Sequence, residues 1–181
     1  PEADDAVNYG GIGAVISHEM THGFDDQGRL YDASGNLHNW WMPEDSAHFV
    51  QKADVVVNQF NKMLVIDTMH ANGRLTEGEN LADLGGLNIA YAAFKKTEQG
   101  KGNNAIDGFT PDQRFFLSWA QIWRANTRPE ELAARLKTDP HANSELRCNM
   151  PVSNMEAWYR AFNIPDTAKM YRSPAERARV W

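Results

Sequence analysis

Apolar residues in this chain recur mostly three and four positions apart, the spacing that gathers them on one face of an α-helix. The run Gly13-Ala14-Val15-Ile16-Ser17 belongs to a first helix that starts near Asn8 or Gly10 and is stopped by Gly23. Arg29-Leu30-Tyr31 and Asn36-Leu37-His38, joined by Asp32-Ala33-Ser34-Gly35, read as a short β-hairpin. The Asp, Asn and Gly content there is turn chemistry, because EF-hand spacing is absent. Residues 43–61 form a second helix, with Val50, Ala53, Val56, Val57, Phe60 and Leu64 on one stripe. Residues 63–69 read as a strand, ended by Asn72-Gly73, and a third helix covers residues 77–97. A polar, Gly- and Asn-rich loop follows at residues 101–108. Thr110-Pro111-Asp112-Gln113 then opens a helix with a cap, a first-turn proline and a capping-box partner. Its Phe115, Phe116, Trp119, Ile122 and Trp123 wrap most of the way round, which predicts a central position. Further helices are predicted at residues 129–137 and 153–162, the latter with a capping box from Ser153 to Glu156. The class is mainly α, with little strand.

Composition narrows the function classes. The 181 residues suffice for one well-filled core. Six Trp, eight Phe and five Tyr argue for a folded interior over disorder. A net charge of −6, with both signs interspersed, leaves no basic footprint for nucleic acid or an anionic membrane. No run approaches the ~18 apolar residues of a membrane span, and no secretory leader is visible. The single cysteine, Cys148, excludes an internal disulfide. It points to a reducing compartment, a bacterial cytoplasm before a secreted or cell-surface setting. Cys148 itself reads as a passive small side chain in a loop.

The chemistry concentrates in His18-Glu19-Met20-Thr21-His22. Two histidines four apart on a helix share a face and can converge on one ion, with the glutamate between them beside it. A shuffled chain of this composition shows the pattern only roughly 0.01 times. Two imidazoles do not complete a catalytic zinc site; a third protein ligand is needed, and one position must stay open for water. Glu79 in Glu79-Asn80-Leu81-Ala82-Asp83 is the candidate. Locally, Glu79 fits equally well as the partner of Thr76 in a capping box. Asp83, one turn on, favours the ligand role, since a second carboxylate can accept the free N–H of a ligating histidine. Gly85-Gly86, costly in mid-helix, predict close approach of another backbone.

These segments resemble the C-terminal part of the neprilysin family of zinc endopeptidases. The likeness runs through Asn8-Tyr9-Gly10-Gly11, Val15-Ile16-Ser17-His18-Glu19-Met20-Thr21-His22-Gly23-Phe24-Asp25-Asp26 and Gly78-Glu79-Asn80-Leu81-Ala82-Asp83-Leu84-Gly85-Gly86. It continues in Phe115 to Trp123, Arg128-Pro129-Glu130, Thr138-Asp139-Pro140-His141, Arg147 and the closing Arg179-Val180-Trp181.

The resemblance implies a zincin, or thermolysin-like, helical catalytic subdomain over residues 1–181 that binds one Zn2+. In it His18, His22 and Glu79 hold the ion and Glu19 is the general base. Asp83 orients one ligating histidine, and one of Asp25 and Asp26 the other. His141 stabilises the oxyanion, Arg147 grips the substrate backbone, and Val15, Ile122 and Trp123 line the pocket for the residue after the cut. The implied reaction is oligopeptide hydrolysis on the amino side of large apolar residues. Read locally, His141 and Arg147 are a loop histidine and a solvated charge, and the three apolar residues are ordinary helix packing. The likeness also implies a fragment of a larger enzyme, without the family's large N-terminal region. Ala178-Arg179-Val180-Trp181 stands where the family has Cys-x-x-Trp, which excludes its terminal disulfide. A rival class is a zinc-stapled binding module with no catalysis, which would need a fourth protein ligand.

Overall fold

A computed structural model describes residues 4–181. The first helix begins earlier than the pattern predicts, because the Asp4 side chain accepts the Val7 N–H as its cap. It runs on through α1 (Asp5–Asn8), a π-helical segment (Tyr9–Gly13) and α2 (Ala14–Thr21). The wider turn falls where Gly10 and Gly11 press against α6 (Pro111–Ile122). A Cβ on Gly10 would stand 2.1 Å from the Phe115 carbonyl oxygen, and Ser118 Oγ donates to Val7 O at 2.7 Å. The helix leaves through a 3-10 turn, His22–Phe24, and Gly23 does not take the left-handed conformation of a glycine cap.

Residues 29–38 are a tight loop closed by a single Tyr31–Leu37 bridge rather than a hairpin of strands. Asp32 Oδ1 accepts the N–H groups of Ser34 and Asn36, the turn chemistry its composition suggests. The hairpin lies further on. The predicted strand at residues 63–69 is folded in two, β1 (Leu64–Ile66) pairing antiparallel with β2 (Met69–His70) around Asp67 at φ 50°.

Helix α3 (Pro43–Asn61) has the predicted bounds. Its buried face is Phe49, Ala53, Val56, Val57, Gln59 and Phe60, whereas Val50 and Leu64 are exposed. Phe49 takes the inner place because the Trp41 ring and the Arg29 guanidinium close over it. Helix α4 (Glu77–Phe94) is buried on nearly all sides and joins two cores. Leu81 and Leu84 belong to one, with α3 and the Leu146 and Met150 of α8 (Ser144–Val152). Leu87, Ala90 and Phe94 belong to the other, with Phe115, Phe116 and Trp119 of α6. The spine is therefore α4, with α6 beside it.

α5 (Glu98–Lys101), α7 (Pro129–Thr138) and α9 (Glu156–Phe162) complete the helices. The Thr110 capping box forms as predicted. The one expected at Ser153 does not: Ser153 Oγ donates to Met150 O, and α9 starts after Met155. Cys148 lies on α8 rather than in a loop, and burial together with Glu145 pushes its thiol up, which suits an inert side chain. Among the described residues no helix is long and apolar enough to cross a membrane.

Glycine permits the packing of α2 on α4. A Cβ on Gly86 would stand 2.5 Å from His18 N and 2.7 Å from His18 Cα. Main chain cannot rotate aside as a side chain can. Gly86→Ala is expected to cost roughly 1–3 kcal/mol. Thermal unfolding should show Tm falling by about 2–4 °C for each kcal/mol; an unchanged Tm would mean that the two helices separate freely. At Gly85 the neighbours are the Trp181 ring and Thr21 Cγ2. The predicted close approach of backbone therefore belongs to Gly86.

Candidate metal centre

Because α2 lies against α4, side chains far apart in sequence meet on one face. His18 and His22 converge with their Nε2 atoms 3.0 Å apart. Glu79 faces both, with Oε2 3.3 Å from His18 Nε2 and Oε1 3.6 Å from His22 Nε2. All three donor atoms lie within 4.8 Å of one another. Glu79 is not a capping residue: Thr76 caps nothing with its side chain, and its hydroxyl donates to Asn72 O while accepting from Asn80 Nδ2.

A carboxylate stands behind each imidazole. His18 Nδ1 is 2.8 Å from Asp83 Oδ1, an oblique approach, and His22 Nδ1 is 2.7 Å from Asp25 Oδ2. Asp25 is fixed in turn, its Oδ1 accepting the N–H groups of Gln27 and Gly28. The partner of His22 is thus Asp25, while Asp26 accepts from Gln27 Nε2. With both rings neutral, carboxylates facing Nδ1 favour the proton on that side, which turns a lone pair inward at each Nε2. Two inward lone pairs and a carboxylate then repel one another unless a positive charge sits among them. Burial alone would lower the His18 pKa, but Asp83 and Glu79 overcome it and raise it to about 9. Burial raises Glu79, yet His18, His141 and Arg147 outweigh it and hold its carboxyl below the ordinary glutamate range.

Zinc fits this set. Bonds of about 2.0–2.1 Å in tetrahedral geometry require donors roughly 3.3 Å apart. The spacings of 3.0, 3.3 and 3.6 Å straddle that value. Ligating histidines backed by carboxylates are the usual second layer of such a site.

The remaining candidates are placed unequally. His141, between α7 and α8, brings Nε2 to 3.2 Å from Glu79 Oε1. Asp139 fixes it by accepting its backbone N–H and facing Nδ1, each at 2.9 Å, and accepts Arg135 Nε on its other oxygen. Burial would raise Asp139, but those donors pull it to about 2, so it stays ionised. Sequence reasoning gave Asp139 no role, although an Asp two residues before a His is a common side-chain-to-backbone turn. Arg147 donates through Nε and Nη2 to both oxygens of Asp83, at 2.7 and 2.8 Å, and through Nη2 to Glu79 Oε2 at 3.3 Å. It is therefore no solvated charge.

Glu19 is exposed, and among the described residues no hydrogen bond or ion pair engages its carboxylate. Val15 is half-buried one turn before His18, and Ile122 is exposed beside Gly11. Trp123 reaches the donor set through Arg147, whose guanidinium carbon lies 4.2 Å from the ring centroid. A groove of about 620 Å³, lined by Met20, Phe24, Ile89, Met155 and Trp181 among others, includes none of the donors.

The profile of Peptidase family M13 matches residues 1–178. Among similar proteins are an endothelin-converting enzyme homolog of Locusta migratoria and a neutral endopeptidase of Lactococcus lactis. The first is 41% identical over 97% of this chain and 24% of its own length. The second is 38% identical over 99% of this chain and 27% of its own length. The crystal structure of the Mycobacterium tuberculosis zinc metalloprotease Zmp1 with an inhibitor superposes with a TM-score of 0.96. It is 43% identical over all of this chain and 28% of its own. PepO from Lactobacillus rhamnosis gives 0.87 at 40% identity, over 97% of this chain and 26% of its own. The fold is thus that of the M13 zincins, and the chain spans about a quarter of the length of the relatives it matches. With sequence and fold matching over nearly its whole length, the chain belongs to peptidase family M13, the family of the neprilysins.

Proposed function

We propose that this chain carries the zinc and the main catalytic groups of an endopeptidase that hydrolyses oligopeptides on the amino side of large apolar residues. The observation that carries the proposal is the convergence of His18, His22 and Glu79, with Asp83 and Asp25 behind the two rings. Zinc, when bound there, supplies a water of pKa ~7 and polarises the scissile carbonyl.

The rest of the work falls to the chain. Glu19, next to His18 and unengaged, takes the proton as the water attacks and returns it to the leaving amine. His141, held by ionised Asp139, meets the developing oxyanion, where a preset donor contributes roughly 2.7–4 kcal/mol. Arg147 is the group that binds the substrate backbone, and Val15, Ile122 and Trp123 are the wall against which an apolar side chain rests.

Further chain completes the cleft in this proposal. Ile12, Ile16, Met20 and Phe24, spaced four apart, are 61, 54, 66 and 49% exposed. Such a row supports a covering N-terminal region in the whole enzyme. It also favours a second reading of the 181 residues by themselves, a metal-loaded chain that is inactive because substrate positioning is incomplete.

Metal analysis combined with hydrolysis of a fluorogenic peptide, with and without chelator, tests the proposal. One zinc per chain and chelator-sensitive cleavage are expected; zinc without cleavage selects the second reading, and cleavage that survives the chelator contradicts the zinc mechanism. Asp83→Asn is expected to weaken zinc binding by roughly 10–100-fold, since it disturbs the group behind a ligand without removing a ligand. A chelator competition titration checks it, and an unaltered Kd would show that Asp83 does not act on His18.

A further inference from the structure

We propose that Trp123 is a positioning residue for the metal centre, acting through the guanidinium of Arg147. The inference rests on the zinc reading above and assigns Trp123 a task beyond lining a pocket.

Arg147 is held edge-on by carboxylates. Nε and Nη2 donate to the two oxygens of Asp83, which faces the ring of His18, and Nη2 reaches on to Glu79. The Nε and Nη2 donors share one edge of the guanidinium and point in its plane, so these bonds restrain motion within the plane more than motion out of it. The indole of Trp123 adds a further restraint, with the guanidinium carbon 4.2 Å from its ring centroid. A planar cation bonded along one edge and set over an aromatic ring has less freedom than one held by its edge bonds alone.

The indole is itself fixed relative to Arg147. It packs edge-to-face on Trp119 at 5.3 Å, and Trp119 is 1% exposed. Trp119 Nε1 donates at 3.1 Å to the carbonyl of Cys148, the residue after Arg147. Helices α6 and α8 are thus tied through Cys148, one residue from Arg147. Trp123 Nε1, by contrast, is buried without a hydrogen-bond partner. The polar handle of this indole is thus unused, and what it offers Arg147 is its ring. Arg147 and Asp83 in turn set the carboxylate and imidazole that take the metal, so a pocket residue governs metal affinity through a chain of contacts.

The test is the zinc Kd of the 181-residue chain, measured by competition with a chromogenic chelator, each variant first checked for an unfolding transition in chelator. Trp123→Leu is expected to weaken zinc by about 10-fold or more. Trp123→Phe keeps an aromatic face and removes the orphaned N–H, and should stay within about 3-fold of the parent. In an Arg147→Met background Trp123→Leu should change Kd by less than about 2-fold, because its effect passes through the guanidinium. If Trp123→Leu does not fold, Trp123→Met fills the space without a ring and takes its place.

Equal zinc affinity in parent and Trp123→Leu overturns the inference. So does a loss in Trp123→Phe as large as in Trp123→Leu, or an undiminished loss in the Arg147→Met background. Failure of the parent chain to bind zinc overturns this inference and the proposed function together, which separates the two kinds of failure.

Discussion

Glu19→Gln is expected to retain one zinc per chain while peptide hydrolysis falls by roughly 10²–10⁴-fold, the contribution of a positioned general base. Glutamine matches glutamate in shape and still accepts hydrogen bonds, but it cannot take a proton from water. The structure makes this a clean substitution. The Glu19 side chain is exposed, and among the described residues no hydrogen bond or ion pair depends on it, so neither fold nor metal should respond. Zinc by atomic absorption, Tm and the initial rate on a quenched-fluorescent peptide are the three readouts. A variant keeping more than about a tenth of the parent rate would remove Glu19 from the role of base.

Glu79→Val should act on the other half of the site and release the metal. With two imidazoles left, the cation loses the carboxylate of the three-donor set and the charge that offsets it. Loss of a direct ligand should exceed the 10–100-fold effect of disturbing the layer behind it, so a Kd weaker by at least ~100-fold is expected. The cap of α4 should be untouched, because the Thr76 side chain bonds Asn72 and Asn80 and not Glu79. Equilibrium dialysis against zinc measures the loss. Stoichiometric zinc in this variant, at concentrations that saturate the parent, would return Glu79 to a structural role.

How much of this was legible in the sequence depended on range. Helix α3 was, because Pro43 opens it and its apolar residues keep helical period, although the inner face centres on Phe49 rather than Val50. Helix α8 was not. Leu146 and Met150 give it a single buried pair one turn apart, and Pro151 in its last turn reads as a breaker. The hairpin at residues 64–70 was hidden because its turn is Asp67-Thr68, a weak signal inside an apolar run.

In the site, the paired histidines are local and show at once, while Glu79 fits a capping box equally well until Asp83 one turn on favours the ligand role, and the Thr76 side chain, bonded to Asn72 and Asn80, leaves that cap unmade. Arg147 on Asp83 and His141 on Glu79 join residues more than sixty positions apart, and no local pattern encodes them. Resemblance to relatives pointed to those residues; the packing of α2 and α8 on α4 supplies the physical reason. Asp139 and the Trp123 clamp were missed altogether, since each acts by holding another side chain in place.

The central claim is that His18, His22 and Glu79 share one zinc and leave a coordination position for water. Crystals of this chain grown with equimolar zinc and measured above and below the zinc absorption edge test it most directly. The account predicts one strong anomalous peak bonded to His18 Nε2, His22 Nε2 and a Glu79 carboxylate oxygen at about 2.0–2.2 Å, with a water as the fourth ligand. An empty site at full zinc occupancy elsewhere, or a fourth protein side chain closing the shell, would contradict it.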